Sequence, residues 1–179
     1  MKTINKVFLN SLLLLCSALI PVSGFCFQNE PEGFGGIQWG THISAVTNMI
    51  LVLEKANDPI QGDLKMYQNQ NQVMTEGRAK LKKVGYVYFK DKFMSAQILT
   101  EGSSNWLGLK DGAFEIFGKG EQPDQSVEQY FWFGNKSRII LNYDNKTEQG
   151  SLSVLSTQYL SQYQESIKQV MGIMGLYGR

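Results

Sequence analysis

Two alternating segments near the middle of the chain constrain the fold most. Residues 84–89 and 93–100 each place large apolar side chains at every second position, and the charged Lys90-Asp91-Lys92 lies between them. A period of two residues on both sides of a short polar turn is typical of paired strands. We therefore predict an antiparallel hairpin that supplies two central strands of a sheet.

The residues after this hairpin predict a helix. Ser103 or Ser104 is expected to cap its start by accepting hydrogen bonds from backbone amides. Gly118 and Gly120 are expected to end it. The apolar residues between them recur at the spacing of one helix face, namely Trp106, Leu109, Ala113, Phe114 and Phe117. Trp106 is therefore predicted to lie in the core between helix and sheet.

The last third of the chain predicts three more strands and a second helix. The strands span residues 128–133, 137–143 and 151–156, and the short connections between them favour an antiparallel meander. From Thr157 the spacing becomes helical, with Leu160, Tyr163, Ile167, Val170, Met171 and Met174 on one face. Helices that are segregated from a mostly antiparallel sheet define the α+β class, which we predict for a single domain.

The region before the hairpin gives weaker signals. Residues 33–39 predict a short strand, and Thr41 is expected to cap a helix of two or three turns that carries Ile43, Val46 and Met49 or Ile50. Short strands are expected at residues 50–53 and 64–67. The polar residues 68–72 are expected to form a solvated loop.

The first residues resemble an export signal. Lys2 and Lys6 precede an apolar run that Pro21 breaks, and small residues follow it. We predict a signal peptide over residues 1–24, a flexible lead-in over 25–33 and one domain over 34–179. Cleavage is expected after Gly24 or Cys26, with an uncleaved anchor or a lipid on Cys26 as alternatives. The predicted location is the periplasm or the exterior of the cell, with no membrane span in the mature chain.

Composition excludes several kinds of function. The formal charge is +1, so no basic surface points to nucleic acid as a partner. The mature chain would contain one histidine, His42, and at most one cysteine, Cys26. An internal disulfide is therefore impossible there, and a lone histidine lacks partners for a metal site. We predict neither a metal nor another cofactor.

Three groups of residues were weighed as catalytic, and each has a simpler interpretation. His42 is expected to be a solvent-facing residue in the first turn of a short helix. Asp111 and Glu115, four residues apart on one helix, are expected to form its polar face. Gly118-Lys119-Gly120 follows a helix instead of opening one, so it does not suit a phosphate loop. No catalytic residue is predicted.

The aromatic segment Gln129–Phe133 carries the predicted binding site. In a strand, Tyr130 and Trp132 face one side while Phe131 and Phe133 face the other, so both faces are aromatic. One face is expected to be a second core or an exposed binding surface. We assign Tyr130 and Trp132 as the candidate binding residues, because exposed aromatic rings contribute strongly at interfaces.

Three motifs carry a resemblance to a known group of proteins. These are FGGIQWGT at residues 34–41, Asn105-Trp106 after the hairpin, and FEIFGKG at residues 114–120. They resemble exported bacterial proteins of unknown function, over nearly the whole mature chain. The resemblance implies an envelope location and brings no catalytic residues.

Together these features predict a non-catalytic exported binding or accessory protein of the bacterial envelope. Its expected partner is a protein, a peptide or an envelope polymer. Two alternatives stay open. One is an envelope hydrolase whose carboxylates converge only in the fold, and the other is a protein inhibitor that uses its sheet face.

Overall fold

A computed structural model describes residues 27–56, 58 and 60–173, so the predicted signal peptide lies outside the described residues. One seven-stranded antiparallel sheet and two helices dominate the described chain. The α+β class is thus confirmed. None of the described helices is long and apolar enough to cross a membrane.

The strands of the large sheet follow the order β3-β4-β7-β8-β11-β10-β9. Their bounds are β3 Met49–Glu54, β4 Leu64–Asn69, β7 Lys83–Phe89, β8 Lys92–Glu101, β9 Gln129–Phe133, β10 Ser137–Asp144 and β11 Gln149–Ser156. Helix α1 spans Ser103–Phe117 and helix α2 spans Thr157–Ile173. Two short hairpins add β1 Gly33–Phe34 with β2 Ile37–Gln38, and β5 Thr75–Glu76 with β6 Ala79–Lys80.

The predicted central hairpin is confirmed, with a tighter turn than expected. Lys90 and Asp91 alone form the turn, with φ angles of 48° and 60°, and Lys92 already belongs to β8. Two left-handed residues match the twist of the flanking strands. The predicted meander is confirmed as well, since β9, β10 and β11 pair in succession and β11 then lies beside β8.

Helix α1 covers one face of the sheet, which we call the inner face. Its residues Trp106, Leu109 and Ala113 are buried there, as predicted for Trp106. The helix ends at Gly118, which has a φ of 77° and so confirms the predicted stop. Its start differs from the prediction, because Gly102 occupies the N-cap position and no side chain caps the helix.

Helix α2 covers part of the opposite face, the outer face. The ring of Tyr163 packs at 5.5 Å against that of Phe89, and both belong to a smaller apolar cluster. Among the described residues, that cluster includes side chains of β3, β4, β7 and β8 but none of β9 or β10. Polar side chains are also buried on this face, namely Ser95, Gln97 and Ser153.

Two elements before the central hairpin differ from their predictions. The strand expected at residues 33–39 is the small hairpin β1-β2, because Gly35 and Gly36 adopt positive φ and turn the chain. The helix expected after Thr41 is one 3-10 turn over Ile43–Ala45, capped by His42 instead. The apolar run that follows pairs with β4 and forms the edge strand β3.

Two further features were not predicted. The hairpin β5-β6 lies against α1, where it contributes the fully buried Ala79. The segment expected to be a flexible lead-in is fastened to the domain from Phe27 onward. Gln28 and Asn29 donate to the carbonyl of Ile116 in α1, and Glu30 accepts from the backbone amides of Lys136 and Ser137.

Candidate functional site

The two predicted binding residues lie inside the core. Tyr130 is 6% exposed and Trp132 is 3% exposed, because both side chains point to the inner face beneath α1. The indole nitrogen of Trp132 donates to the carbonyl oxygen of Gly118 at 3.0 Å and so attaches the end of the helix. The expectation that these two rings form an exposed surface is therefore wrong. Both rings belong to the alternating set of side chains that faces α1, so the helix covers them.

The hydroxyl group of Tyr130 joins a small polar network. That group donates to a carboxylate oxygen of Glu128 at 3.1 Å, and the same oxygen lies 3.1 Å from the ammonium group of Lys110. Lys110 also lies near the rings of Trp106 and Tyr130, at 5.7 and 5.8 Å from their centroids. Burial, followed by the hydrogen bond to Glu128, raises the pKa of Tyr130. This network holds α1 against β9.

The other aromatic pair of β9 is on the outer face and is half-buried. The rings of Phe131 and Phe133 are nearly parallel, 5.9 Å apart, and Arg138 lies 6.0 Å from the Phe133 ring. Phe131 also pairs through its backbone with Glu121, which covers part of the outer edge of β9. Of the two aromatic faces that the sequence indicates, this one is the more accessible.

A crevice opens on the inner face between α1 and the sheet. Its volume is about 130 Å³. Its floor consists of the buried side chains Ile98, Leu109, Leu152 and Val154, of which Ile98 is 1% exposed. The N-terminal segment closes one side with Pro31, Gly33 and Phe34, and the far end of α1 closes another with Ala113, Ile116 and Phe117. The crevice is thus an apolar cavity built from residues far apart in the sequence.

Two glycines of α1, one turn apart, differ in what surrounds them. A Cβ atom at Gly108 would lie 3.0 Å from the backbone nitrogen of Ala79, so the β5-β6 hairpin fills the space there. A Cβ atom at Gly112 would meet nothing within 4 Å, and Gly112 lines the crevice. Glycine inside a helix costs about 1 kcal/mol relative to alanine. At Gly108 the close contact explains it, whereas at Gly112 the glycine leaves an open volume.

The mouth of the crevice has a mixed character. Ile116 is 41% exposed there, and the exposed carboxylate of Glu76 is the only ionisable group of the lining. Glu76 comes from β5, so the unpredicted hairpin supplies the polar part of the site. An apolar interior with one oriented polar group at its entrance is typical of sites that bind small ligands or single side chains.

A second concave region lies at the other end of the sheet and is charged. It has a volume of about 350 Å³ and is lined by Glu54, Asp58, Asp63, Lys65, Lys90 and Asp91, together with Ala56 and Gly62. Lys65 pairs with Asp91 at 3.0 Å and with Glu54 at 3.6 Å, and Lys90 pairs with Asp63 at 3.6 Å. Three of the four carboxylates of the cleft therefore share two ammonium groups.

The charged cleft suits acid catalysis poorly. A general acid at neutral pH needs a carboxyl group whose pKa is raised. The pKa of Asp58 is instead lowered, chiefly by hydrogen bonds from the backbone amides of Gln61 and Ile60. Carboxylates therefore converge in the fold, as the hydrolase alternative requires, but the lowered pKa of Asp58 is the opposite of what a general acid needs.

The remaining residues weighed as catalytic lie away from the crevice. His42 is exposed, as predicted, and its Nδ1 atom lies 2.8 Å from the hydroxyl oxygen of Ser44. Asp111 and Glu115 are exposed on α1 and do not line the crevice. Within the described part of the chain, no group of three His, Cys, Asp or Glu side chains is placed to hold a metal ion.

Sequence reasoning did not find the crevice. The useful signal was the pair Gly108 and Gly112, since two glycines inside a strongly predicted helix require a packing reason.

The chain matches no known protein family, no curated protein and no solved structure.

Proposed function

We propose that this chain is a non-catalytic, exported binding or accessory protein of the bacterial envelope. The crevice beneath α1 is the place where it holds an apolar group of its partner. The observation that supports this most directly is the lining of the crevice, in which the buried side chains Ile98, Leu109, Leu152 and Val154 leave apolar surface open. Catalysis by acid and base would need more than the single carboxylate in the lining.

The size of the crevice limits the group that it holds. An apolar cavity of about 150 Å³ accommodates one benzene molecule, so 130 Å³ suits a branched or short linear alkyl group. Such a group belongs equally to a small ligand or to an aliphatic side chain of a peptide or protein. The proposal thus keeps the class of partner predicted from the sequence and gives it a chemical requirement.

A filled crevice tests the binding site. Gly112→Leu would place an isobutyl group in the open volume, so uptake of pentan-1-ol should fall at least tenfold. Methyl NMR shifts of Ile98, Leu109, Leu152 and Val154 report this uptake. Gly172→Leu is the matched control, because Gly172 is also a helical glycine with nothing within 4 Å of a Cβ. Equal uptake by Gly112→Leu and the unmodified protein would contradict the proposal.

Export is tested separately. Amino-terminal sequencing of the protein from a bacterial envelope fraction should begin at Phe25 or Phe27. Intact Met1 on membrane-bound protein would instead support the uncleaved anchor.

A further inference from the structure

The mouth of the crevice holds one negative charge, which is the only ionisable group of the lining. Glu76 is exposed, and among the described residues it forms no ion pair. Other exposed carboxylates are paired with lysines, for example Glu54 with Lys65 and Glu101 with Lys82. A ligand that fills the crevice therefore places its outer end beside a carboxylate that has no ion-pair partner among the described residues.

The interior of the crevice offers nothing polar to a ligand. Its floor consists of Ile98, Leu109, Leu152 and Val154, all buried and aliphatic. An ammonium group driven into it would lose its hydration without a partner. A bound ligand is therefore oriented with its alkyl group inside the crevice and any charged group at the mouth.

We infer that the crevice binds an alkyl group that carries a primary ammonium group, with the ammonium beside Glu76. The inference rests on the proposed function and adds the charge of the ligand to it. Burial of the alkyl group supplies most of the affinity, about fourfold for each methylene. The exposed carboxylate adds selectivity of roughly two- to fivefold, the range of a solvated ion pair.

Three probes with the same pentyl group separate apolar uptake from charge selectivity. They are pentylamine, pentan-1-ol and hexanoate, titrated at pH 7 and low salt against the methyl NMR signals of the four floor residues. We expect pentylamine to bind about two- to fivefold more tightly than pentan-1-ol, and hexanoate to bind more weakly than both. The differences in affinity between the three probes should become smaller as added salt screens the charge of Glu76.

Variants of Glu76 assign the selectivity to that carboxylate. Glu76→Gln should make pentylamine and pentan-1-ol bind equally, and Glu76→Lys should make hexanoate the tightest of the three. Glu115→Gln is the control, because Glu115 is an exposed carboxylate of α1 outside the lining, and it should leave the order unchanged.

The outcomes distinguish this inference from the proposed function. Uptake of all three probes with equal affinity would overturn the inference and leave the proposed function standing. Absence of uptake by the unmodified protein would overturn both.

The same chemistry has two sources, a free alkyl amine and the amino-terminal residue of a peptide. In Leu-Gly-Gly the isobutyl side chain and the α-ammonium group lie on one residue, so the peptide meets both requirements. Tighter binding of Leu-Gly-Gly than of pentylamine, lost in its N-acetyl form, assigns a peptide amino terminus. Weaker binding assigns the free amine.

Discussion

The two faces of the large sheet differ in what covers them and in what they bury. The inner face packs aromatic and aliphatic side chains beneath α1, and the N-terminal segment and the β5-β6 hairpin extend that cover. The outer face packs a smaller cluster beneath α2, and it buries polar side chains between apolar ones. A face covered by several separate segments leaves a crevice where those segments fail to meet. A face covered by a single helix instead leaves side chains partly exposed, as at Phe131 and Phe133.

Strand β9 permits the sharpest test of this difference, because neighbouring residues lie on opposite faces. Trp132→Ala should cost about 3 to 5 kcal/mol of unfolding free energy, the range for truncation of a large buried aromatic side chain. Phe131→Ala should cost about 1 to 2 kcal/mol, since its ring is only half-buried. Urea denaturation of the two variants measures both values. Equal losses would show that the outer face is as tightly packed as the inner one.

The inner face also contains a buried tyrosine that makes stability sensitive to alkaline pH. Tyr88 is fully buried, its hydroxyl has no hydrogen-bond partner among the described residues, and burial raises its pKa to about 12. An ordinary tyrosine has a pKa near 10. The folded protein therefore favours the neutral phenol. The stabilisation that comes from the neutral phenol is complete below pH 10. As the pH rises towards 12, the unfolding free energy falls by about 2 to 3 kcal/mol.

Tyr88→Phe is the control for this pH dependence. Unfolding free energies of the variant should decline less between pH 10 and pH 12 than those of the unmodified protein. Identical declines would show that other tyrosines or lysines govern alkaline unfolding.

On the outer face, a polar side chain in the core should limit stability. Gln97 is 4% exposed and its amide nitrogen has no partner among the described residues. An unpartnered buried donor costs about 1 to 3 kcal/mol, so Gln97→Met, which keeps the volume, should raise the unfolding free energy by about 1 kcal/mol. Ser151→Ala, at a half-buried position on the same face, is a suitable comparison. A destabilised Gln97→Met would mean that the amide has a structural role.

A residue outside both clusters sets the baseline for these effects. His42 is exposed and caps a single 3-10 turn by accepting from the amide of Ser44 at 3.2 Å. His42→Ala should change the unfolding free energy by less than about 0.5 kcal/mol. It should also leave the uptake of pentan-1-ol unchanged. A hydrolytic or metal-dependent activity lost in the folded variant would instead support the enzyme alternative.

The sequence alone determined the parts of the fold that depend on local patterns. The central hairpin, the body and end of α1, the meander and α2 all follow from a period of two or 3.6 residues and from turn residues at their ends. These patterns suffice because they lie within one segment and its adjacent turns, whichever elements later cover that segment. They also established that both faces of β9 are aromatic.

Only the tertiary structure decided which aromatic face is buried and where the crevice lies. Periodicity divides Tyr130 and Trp132 from Phe131 and Phe133, but it does not say which side α1 covers. Likewise, the pattern predicts a short strand at residues 50–53, but only the pairing with β4 places that strand at the edge of the sheet. The crevice joins residues from Pro31 to Val154, because the N-terminal segment, the β5-β6 hairpin, α1 and the sheet all contribute to its lining. Such a crevice depends on packing between distant segments, which no local pattern records.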